Sequence, residues 1–399
     1  MRTLALAAAA VAVLAGQPSS QGVWPRDVWT SATPASQGLD AAPFETLDTD
    51  IRADRYGNVD RLLVVSRGRL VVNYRYGRDY REISRGKMSA IGCGEGCTDP
   101  RAMHQYNYFH PNWHPYYQGR PVHTLQSVTK SIAASAVGIA VGRGDVTGFD
   151  QPFLPYFADR DLSRVDTRLH RATLADLLTM RSGIEWHEGD RPLDMTNTTV
   201  QLELSDNWID FTLAQPMDAD PGTTWVYNSG GSHLMSGIIR AATGRFIDGY
   251  AREHLFEPIG IREFHWKRDP QGHPDTEGGL YLTAEDLARI GYLHLRDGMW
   301  NGRRVLPEGW VRRATTRHVT GLAGGWDYGY QWWITSRNGV DVWAGRGFGG
   351  QFLFIVPARD LVGVVHSWNV FGDRVQNLAA SFLEALTTAS APSSRHPAP

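Results

Sequence analysis

Two β-rich regions lie at opposite ends of this chain, and a long helical region separates them. Near the N-terminus, Leu62–Ser66 and Arg69–Tyr76 flank the dipeptide Arg67-Gly68, a pattern typical of a β-hairpin. Near the C-terminus, Phe352–Val356 and Leu361–Ser367 form a second such pair. We expect the two hairpins to join in one antiparallel sheet, with the middle of the chain as a separate helical lobe.

The first residues have the pattern of a signal peptide. Arg2 supplies a positive charge, Leu4–Leu14 is a short apolar run, and Val13 and Ala15 are small residues suited to a cleavage site. We therefore expect a periplasmic or secreted protein after removal of this peptide, and a buried N-terminal helix is the alternative. The predicted organisation is a signal peptide at 1–15, a loose lead-in at 16–45, one domain at 46–390 and a disordered tail at 391–399. Within the domain we expect an α/β lobe at about 46–125 and 275–390, a helical lobe at about 126–274, and a loop insertion at 80–123.

The composition limits the partners of the protein. The chain has 399 residues, of which 42% are hydrophobic, so it can bury a sizeable core. Its formal net charge is only -2, which argues against nucleic acid as a partner. No run after the signal peptide has the length and apolarity of a membrane span. The sequence leaves the oligomeric state open.

Cysteines and histidines concentrate in the predicted insertion. Cys93 and Cys97 are the two cysteines of the chain, and export favours a local disulfide, with half of a metal site as the alternative. His110 and His114 are four residues apart, and His104 and His123 lie nearby. A zinc site needs three or four converging ligands, and no carboxylate has a suitable spacing. We therefore predict no metal and no other cofactor.

The run 125–144 contains the most informative motif. Its apolar residues are set among alanine and serine, which is typical of a helix packed closely on all sides. Near its start, Ser127 and Lys130 are three residues apart and would therefore face the same way, so the amine could take the hydroxyl proton if it were neutral. A capping serine with an extended surface lysine is the alternative. A second motif of this kind, Ser84–Lys87, lies in a polar stretch with no apolar helix after it.

Two further blocks are compatible with a catalytic site. Pro221–Gly231 places Tyr227 at a predicted junction between a strand and a helix, where a phenol near a cation can relay protons. A tyrosine packed with its hydroxyl on a carbonyl is the alternative. Ala344–Gln351 is rich in glycine and precedes a strand, whose edge N–H could form an oxyanion hole with the N–H of Ser127. The alternative is an ordinary glycine-rich turn.

Five blocks in order carry a resemblance to a known family. They are QSVTKS, LADLLTMRSGIEW, PGTTWVYNSGG, GGLYLTAEDLARIGYLHLRDGMWNGRRVLP and GRGFGGQFLFIVPARDLVGVV, within about residues 60–390. The chain resembles the class C β-lactamase and DD-peptidase family, most of all its esterase and 6-aminohexanoate-dimer-hydrolase branch. The resemblance implies the β-lactamase/transpeptidase-like fold, an α/β fold with a helical lobe and a central antiparallel sheet flanked by helices. It also implies Ser127 as nucleophile, Lys130 as its partner, Tyr227 as base and acid, and an oxyanion hole from the N–H groups of Ser127 and a residue near Phe348.

The chain also departs from this family at the expected substrate contacts. The lactamases and peptidases have Tyr-x-Asn, whereas here Asn228 is the middle residue and Ser229 the third. They have Lys-Thr-Gly or His-Thr-Gly before the last strand, whereas here Arg346 lies at about that place. We therefore take Asn228, Ser229, Arg346 and Trp186, which follows Ser182-Gly183, as candidate substrate-binding residues. Ser205-Asp206-Asn207 imitates a lactamase motif, but its neighbours indicate a helix cap.

These observations predict a metal-independent serine hydrolase that cleaves a small-molecule ester or amide through an acyl-enzyme on Ser127. A carboxylesterase or an amidase similar to 6-aminohexanoate-dimer hydrolase is the preferred form, because the residues that would hold a β-lactam carboxylate are missing. A β-lactamase or DD-peptidase is the first alternative. A non-catalytic binding or sensor module on the same fold is the alternative from another class.

Overall fold

The structure, a computed structural model, describes residues 23–83, 119–370 and 377–389. Several predicted features lie outside these ranges and stay predictions. They are the signal peptide at 1–15, the motif Ser84–Lys87, the pair Cys93 and Cys97, the residues His104, His110 and His114, and the tail at 391–399.

The strands of the described residues form one large sheet and two small ones. The strands are β1 (Val59–Ser66), β2 (Arg69–Arg75), β3 (His123–Thr124), β4 (His265–Trp266), β5 (Leu280–Leu282), β6 (Met299–Trp300), β7 (Arg303–Arg304), β8 (Val319–Leu322), β9 (Trp326–Tyr328), β10 (Trp333–Arg337), β11 (Val340–Gly347), β12 (Gln351–Val356) and β13 (Leu361–Ser367). The large sheet has the order β2-β1-β13-β12-β11-β10-β9-β8, and the small ones are β3-β5-β4 and β6-β7.

The helices occupy most of the middle of the chain. They are α1 (Ala42–Arg52), α2 (Tyr80–Ile83), α3 (Val128–Arg143), α4 (Leu174–Leu178), α5 (Thr198–Leu204), α6 (Trp208–Leu213), α7 (Ser229–Thr243), α8 (Ile247–Ala251), α9 (Ala284–Leu295), α10 (Trp310–Ala314) and α11 (Leu378–Thr388). Among the described residues, no helix is both long enough and apolar enough to cross a membrane.

The large sheet unites the two ends of the chain. β1 pairs with β13 in antiparallel fashion, with Val59 opposite Ser367 and Ser66 opposite Leu361. The predicted joining of the two hairpins is therefore confirmed. Successive side chains of β1 point to opposite faces, so Leu63 belongs to the core that contains α9, and Leu62 belongs to the core that contains α1 and α11. The neighbouring strands β1 and β13 are buried because helices cover both faces.

α3 runs through the centre of the molecule, and its residues from Val128 to Ala140 are buried. The small residues predicted to permit close packing do so. A Cβ added at Gly138 would lie 2.5 Å from the ring of Trp310, and one added at Gly142 would lie 2.3 Å from Pro307. Such distances leave no room for a larger side chain, so α3 is held rigidly by its neighbours.

The segment 16–45 differs from its prediction as a loose lead-in, because its described part is packed. Trp29 is buried and donates its indole N–H to the carbonyl of Glu285 at 3.0 Å. α1 begins at Ala42, and Phe44 is fully buried against the sheet. The proline, serine and alanine content favoured a loose chain, but these two aromatic side chains supply enough apolar surface to anchor it.

The predicted insertion at 80–123 is described only at its two ends. Its first residues form α2, and its last residue, His123, forms β3 together with Thr124. β3 pairs with β5, with Thr124 opposite Tyr281. This pairing is important because the chain passes directly from β3 to Ser127.

Candidate active site

Ser127 lies between the end of β3 and the start of α3. The N–H of Leu125 donates to the carbonyl of Leu280 at 2.9 Å, and Thr129 Oγ1 accepts the N–H of Leu280 at 3.1 Å. Both sides of Ser127 are therefore tied to β5. Between these ties Gln126 has a φ of 47°, in the left-handed region that residues other than glycine rarely adopt. The strained residue fixes the direction in which Ser127 enters the helix.

The side chains of Lys130 and Ser127 meet, as their spacing predicted. Lys130 Nζ lies 2.8 Å from Ser127 Oγ. The same ammonium donates to the carbonyl of Glu277 at 2.7 Å and lies 3.4 Å from Glu277 Oε2. Lys130 is only 1% exposed, so a capping serine with a lysine extended to the surface does not describe this pair.

The surroundings of Lys130 determine whether its amine is neutral, the condition on which proton transfer from Ser127 depends. Burial lowers the pKa of Lys130, but Tyr227, Glu277 and Glu188 together raise it above its usual value. The resting lysine is therefore an ammonium. The two carboxylates come from distant parts of the chain, so the local motif does not reveal them.

Tyr227 lies immediately before α7, with its ring beside Lys130. Lys130 Nζ is 5.1 Å from the centre of the ring, and the ring stacks on Trp333 at 5.8 Å with an angle of 27° between the planes. Burial raises the pKa of Tyr227, while the charge of Lys130 and hydrogen bonding to Ser127 and Lys130 lower it, and the net shift is upward. The phenol is therefore neutral at rest and is in contact with both other members of the predicted set.

Glu188 completes this cluster and was not predicted. Its carboxylate accepts the hydroxyl of Ser229 at 2.8 Å, the N–H of Ser229 at 3.0 Å and the indole N–H of Trp186 at 3.1 Å. Burial raises the pKa of Glu188, and the charge of Lys130 opposes that shift. Glu188 lies in the loop before α5, where the sequence has no periodicity that would set it apart.

Three predicted substrate-binding residues have other contacts. Asn228 is buried and caps α7, accepting the N–H of Gly231 at 2.6 Å. Ser229 is also buried and faces Glu188, and Trp186 is packed under α7, where a Cβ at Gly230 would lie 2.4 Å from its ring. These contacts are with the protein itself, and direct binding of substrate by the three residues stays a prediction.

The start of α3 faces the end of β11. A Cβ at Gly345 would lie 2.8 Å from Val128, and one at Gly347 would lie 2.4 Å from the carbonyl of Leu125. β10 begins at Trp333, opposite Ala344, so residues 345–347 extend beyond it. Among the hydrogen bonds of the described residues, none uses the N–H of Ser127.

Phe348, predicted near the second oxyanion donor, lies past this contact. It is in the turn between β11 and β12, and its side chain is 47% exposed. The residues in contact with the start of α3 are those of the strand end, one to three positions before Phe348, and the oxyanion role of Phe348 stays a prediction. The glycines at 345 and 347 are required there because any side chain would collide with α3.

Arg346 lies on the aromatic side of the site. Its guanidinium carbon is 4.5 Å from the ring centre of Trp326 and 4.9 Å from that of Trp333. Burial lowers the pKa of Arg346, yet it stays a cation. Among the described ion pairs, none includes Arg346, so its positive charge is available to an anionic ligand.

Two other predictions concern residues near the helical lobe. Asn207 caps α6 by accepting the N–H of Asp210 at 3.1 Å, so the motif Ser205-Asp206-Asn207 is a helix cap as predicted. Among the described residues, no three His, Cys, Asp or Glu side chains are grouped as metal ligands. The histidine-rich segment lies outside the described ranges, so the absence of a metal stays a prediction.

A cavity of about 740 Å³ lies away from this cluster. It is bordered by Asp60, His123, His366 and Glu285, and its lining does not include Ser127 or its partners. The site is therefore identified by its chemical groups and their distances, and not by volume.

The fold and the serine–lysine–tyrosine cluster together define a family, and comparison with known proteins agrees. The family model described as Beta-lactamase matches residues 96–385, and the chain belongs to that family. The chain is 27% identical over 267 residues to a 6-aminohexanoate-dimer hydrolase from Paenarthrobacter ureafaciens, an alignment that covers 62% of this chain and 66% of the relative.

Solved structures show the same fold. EstCE1, a hydrolase with promiscuous acyltransferase activity, has a TM-score of 0.65 and 15% identity, with 89% of this chain and 100% of that chain covered. A family VIII carboxylesterase has a TM-score of 0.61 and 14% identity, with 89% and 97% covered. The predicted family and the β-lactamase/transpeptidase-like fold are confirmed. The predicted class of enzyme, a serine hydrolase, is supported by relatives that are themselves named hydrolases.

Proposed function

We propose that the protein is a serine hydrolase that cleaves a small ester or linear amide through an acyl-enzyme on Ser127. The observation that carries the proposal is the distance of 2.8 Å between Ser127 Oγ and the buried Lys130 Nζ. Burying a lysine costs free energy that strong partners must offset, and such lysines are concentrated at functional sites. Lys130 contacts the hydroxyl of Ser127, which lies at the start of α3 beside the end of β11.

In the proposed acylation, Ser127 Oγ attacks the carbonyl carbon, and its proton passes to the pair formed by Lys130 and Tyr227. Because both members of the pair are protonated at rest, the reactive form is the one in which the pair has lost one proton. The bond from the carbonyl carbon to the leaving oxygen or nitrogen then breaks, and the leaving group takes the proton from Tyr227. Water then attacks the acyl carbon and gives a proton to the pair, the bond from that carbon to Ser127 Oγ breaks, and Oγ takes the proton back from the pair as the acid leaves.

The negative oxygen of the intermediate needs hydrogen-bond donors. We propose that the N–H of Ser127, at the start of α3, is one of them. The strand end at 345–347 supplies the second, because it lies against this start and extends beyond β10. This assignment replaces Phe348.

The aromatic surroundings favour ester and linear amide substrates. Trp333 is partly exposed and Phe348 is half exposed, so both offer apolar surface to an acyl chain. Trp343 pairs opposite Ile334 and therefore lies on the other face of the sheet from Trp333, and Trp332 is fully buried beside His294. Arg346 favours a substrate with an acidic group at its far end. The 6-aminohexanoate-dimer hydrolase relative has a name that describes such a linear amide, which supports this class of substrate.

A β-lactamase or DD-peptidase remains the second candidate, because Arg346 has no described ion pair and could hold a β-lactam carboxylate. Its guanidinium is stacked on two indoles, whereas the Lys-Thr-Gly of the family would offer two hydrogen-bonding side chains. Losing two charge-assisted hydrogen bonds at roughly 1.5–3 kcal/mol each lowers the rate by about 10²–10⁴-fold.

The deciding experiment compares kcat/KM for nitrocefin and nitrophenyl butyrate on one preparation. We expect the ester to be turned over at least about 100-fold better, from the same arithmetic. A fluorophosphonate should label Ser127, and Ser127→Ala should be neither labelled nor active. Equal or faster turnover of nitrocefin would make the β-lactamase the leading candidate, and an unlabelled wild type would favour a binding module.

The predicted signal peptide indicates where in the cell the protein acts. We propose that the protein is exported and that the peptide is removed after Ala15. N-terminal sequencing of protein secreted or released from the periplasm checks this, and a mature chain that begins at Met1 would contradict it.

A further inference from the structure

The carboxylate of Glu188 accepts three hydrogen bonds from two residues, Ser229 and Trp186. Oε1 accepts the hydroxyl of Ser229 at 2.8 Å, and Oε2 accepts the N–H of the same residue at 3.0 Å. Both oxygens are therefore bonded to the first residue of α7, where a carboxylate also interacts favourably with the helix dipole. Since Ser229 follows Tyr227 by two residues, these two hydrogen bonds fix the short segment that carries the phenol.

The loop that contains Glu188 is itself fixed from the opposite side. Asn197 Nδ2 donates to the carbonyl of Glu188 at 3.0 Å, and the N–H of His187 donates to Thr198 Oγ1 at 3.1 Å. The indole N–H of Trp186 is shared between Glu188 and Thr199 Oγ1, both at 3.1 Å. The carboxylate thus connects two rigid elements, the start of α5 and the start of α7.

The charge of Glu188 acts on the proposed proton-transfer pair. It raises the pKa of Lys130 and, separately, that of Tyr227. The other groups that face this charge are Glu203, from α5, Glu277, from the loop before β5, and Tyr328, from β9. Glu188 therefore has two separable properties, a shape that holds Ser229 and a charge close to Lys130.

We propose that Glu188 is a positioning residue for the reaction at Ser127: it holds Tyr227 in place through Ser229, and its negative charge balances the Lys130 ammonium. This inference rests on the proposed function. A neutral residue of the same shape would satisfy most of the hydrogen bonds but would leave the ammonium with less negative charge around it.

Three variants separate shape from charge. Glu188→Gln keeps the shape and removes the charge, Glu188→Asp keeps the charge and shortens the side chain, and Ser229→Ala removes one of the two contacts to α7. Glu185→Gln is the matched control, because Glu185 lies in the same loop and pairs only with the half-exposed His187, at 3.3 Å. Thermal unfolding establishes that each variant is folded.

The measurement is kcat against pH with a nitrophenyl ester, together with fluorophosphonate labelling of Ser127. For Glu188→Gln we expect a plateau lower by on the order of 10- to 100-fold, because small displacements of a reacting group cost this much. We also expect its alkaline limb to move to lower pH, because a negative charge that holds protons on Lys130 and Tyr227 is gone. Glu188→Asp and Ser229→Ala should lose rate without moving the limb, and Glu185→Gln should match the wild type.

The outcomes distinguish a wrong role for Glu188 from a wrong proposed function. If the wild type is labelled and active, and the Glu188→Gln profile superimposes on that of Glu185→Gln, the role of Glu188 is wrong. If Glu188→Gln does not fold, a Glu188→Asp variant with wild-type kcat and profile would equally overturn it. If the wild type itself is neither labelled nor active, the proposed function is wrong and the role of Glu188 is wrong with it.

Discussion

Lys130 and Lys267 are both buried, with exposures of 1% and 5%, and their surroundings shift their pKa values in opposite directions. For Lys267, burial dominates over the charges of Glu203 and Glu277 and lowers the pKa to about 7. For Lys130, burial is outweighed by Tyr227, Glu277 and Glu188.

The difference lies in the carboxylates around each lysine. Burial first, and then repulsion from Glu277, raises the pKa of Glu203 well above its usual value, so this carboxyl stabilises a neighbouring ammonium less than an ordinary glutamate does. Lys130 has a direct contact to Glu277 and a hydroxyl at 2.8 Å. Burial alone therefore does not decide the charge of a lysine, because the ionisation of its partners decides whether the ammonium is kept.

The comparison predicts a large difference between the two lysines in catalysis. Lys130→Ala should lower kcat for a nitrophenyl ester by on the order of 10²–10⁴-fold, the usual range for a positioned acid or base. Lys267→Met should change kcat by less than about 10-fold, because Lys267 does not contact Ser127. Steady-state kinetics of both variants checks this. An equal loss in both would mean that the two lysines act as one unit.

Tyr227 and Lys130 should act together in catalysis and not as independent groups. Tyr227→Phe should also cost on the order of 10²–10⁴-fold in kcat. Combined with Lys130→Ala, it should cost less than about 10-fold more, because groups that act together are not additive. If Tyr227→Phe retains nearly normal turnover, the phenol only supports the packing of Trp333 and another group must move the proton.

The pH profile should follow Lys130 and Tyr227 and not Lys267. The pKa values of both Lys130 and Tyr227 are raised, so the pair keeps its protons at neutral pH. We expect kcat/KM to rise by up to about tenfold per pH unit through the alkaline range, as the pair loses one proton. Rates measured from pH 6 to 10, corrected for spontaneous hydrolysis, test this. A half-maximal rate near pH 7 that disappears in Lys267→Met would show that Lys267, and not the Lys130–Tyr227 pair, is the titrating group.

Lys267 should instead affect stability, with a smaller effect. Its pKa falls from 10.5 to about 7 on folding, so the unfolded chain binds more protons between these values. The free energy of unfolding that Lys267 contributes should therefore rise with pH over that window, by at most about 1.4 kcal/mol per pH unit.

Denaturant unfolding of the wild type and Lys267→Met at pH 7 and pH 9 measures this contribution. We expect the wild type to gain stability relative to the variant at the higher pH. The charge of Lys267 lowers the pKa of Glu203, so the difference between the two proteins reports on the Lys267–Glu203 pair and not on the lysine alone. A difference that does not change with pH would show that Lys267 is not buried as an amine.

The sequence predicted the parts of the site that local geometry determines. Ser127 and Lys130 are three residues apart on one helix, and this spacing alone brings them together. The pairing of the chain ends followed from the distribution of β-rich runs. Tyr227 needed the order of the motif blocks, since its contacts to α3 are not local.

The sequence did not predict which way neighbouring side chains face. Asn228 and Ser229 were assigned to the substrate because they adjoin Tyr227, but one caps α7 and the other contacts Glu188, 41 residues away in the sequence. Glu188 had no local signal, because its partners are gathered by tertiary packing. The charge of Lys130 could not be predicted for the same reason, since it depends on carboxylates from distant parts of the sequence.

The position of β1 between β2 and β13 has a consequence for how the chain acquires its structure. During synthesis, β1 and β2 emerge first and have no third strand to pair with until Leu361–Ser367 have followed. Non-local pairing of this kind is slow, and the apolar faces of the early hairpin are open to aggregation in the meantime. A chain that ends at Val356 should therefore fail to give a cooperative unfolding transition, because β1 and β12 would both lack the strand that lies between them. Completion of the fold must therefore wait until synthesis has passed Ser367, the last residue of β13.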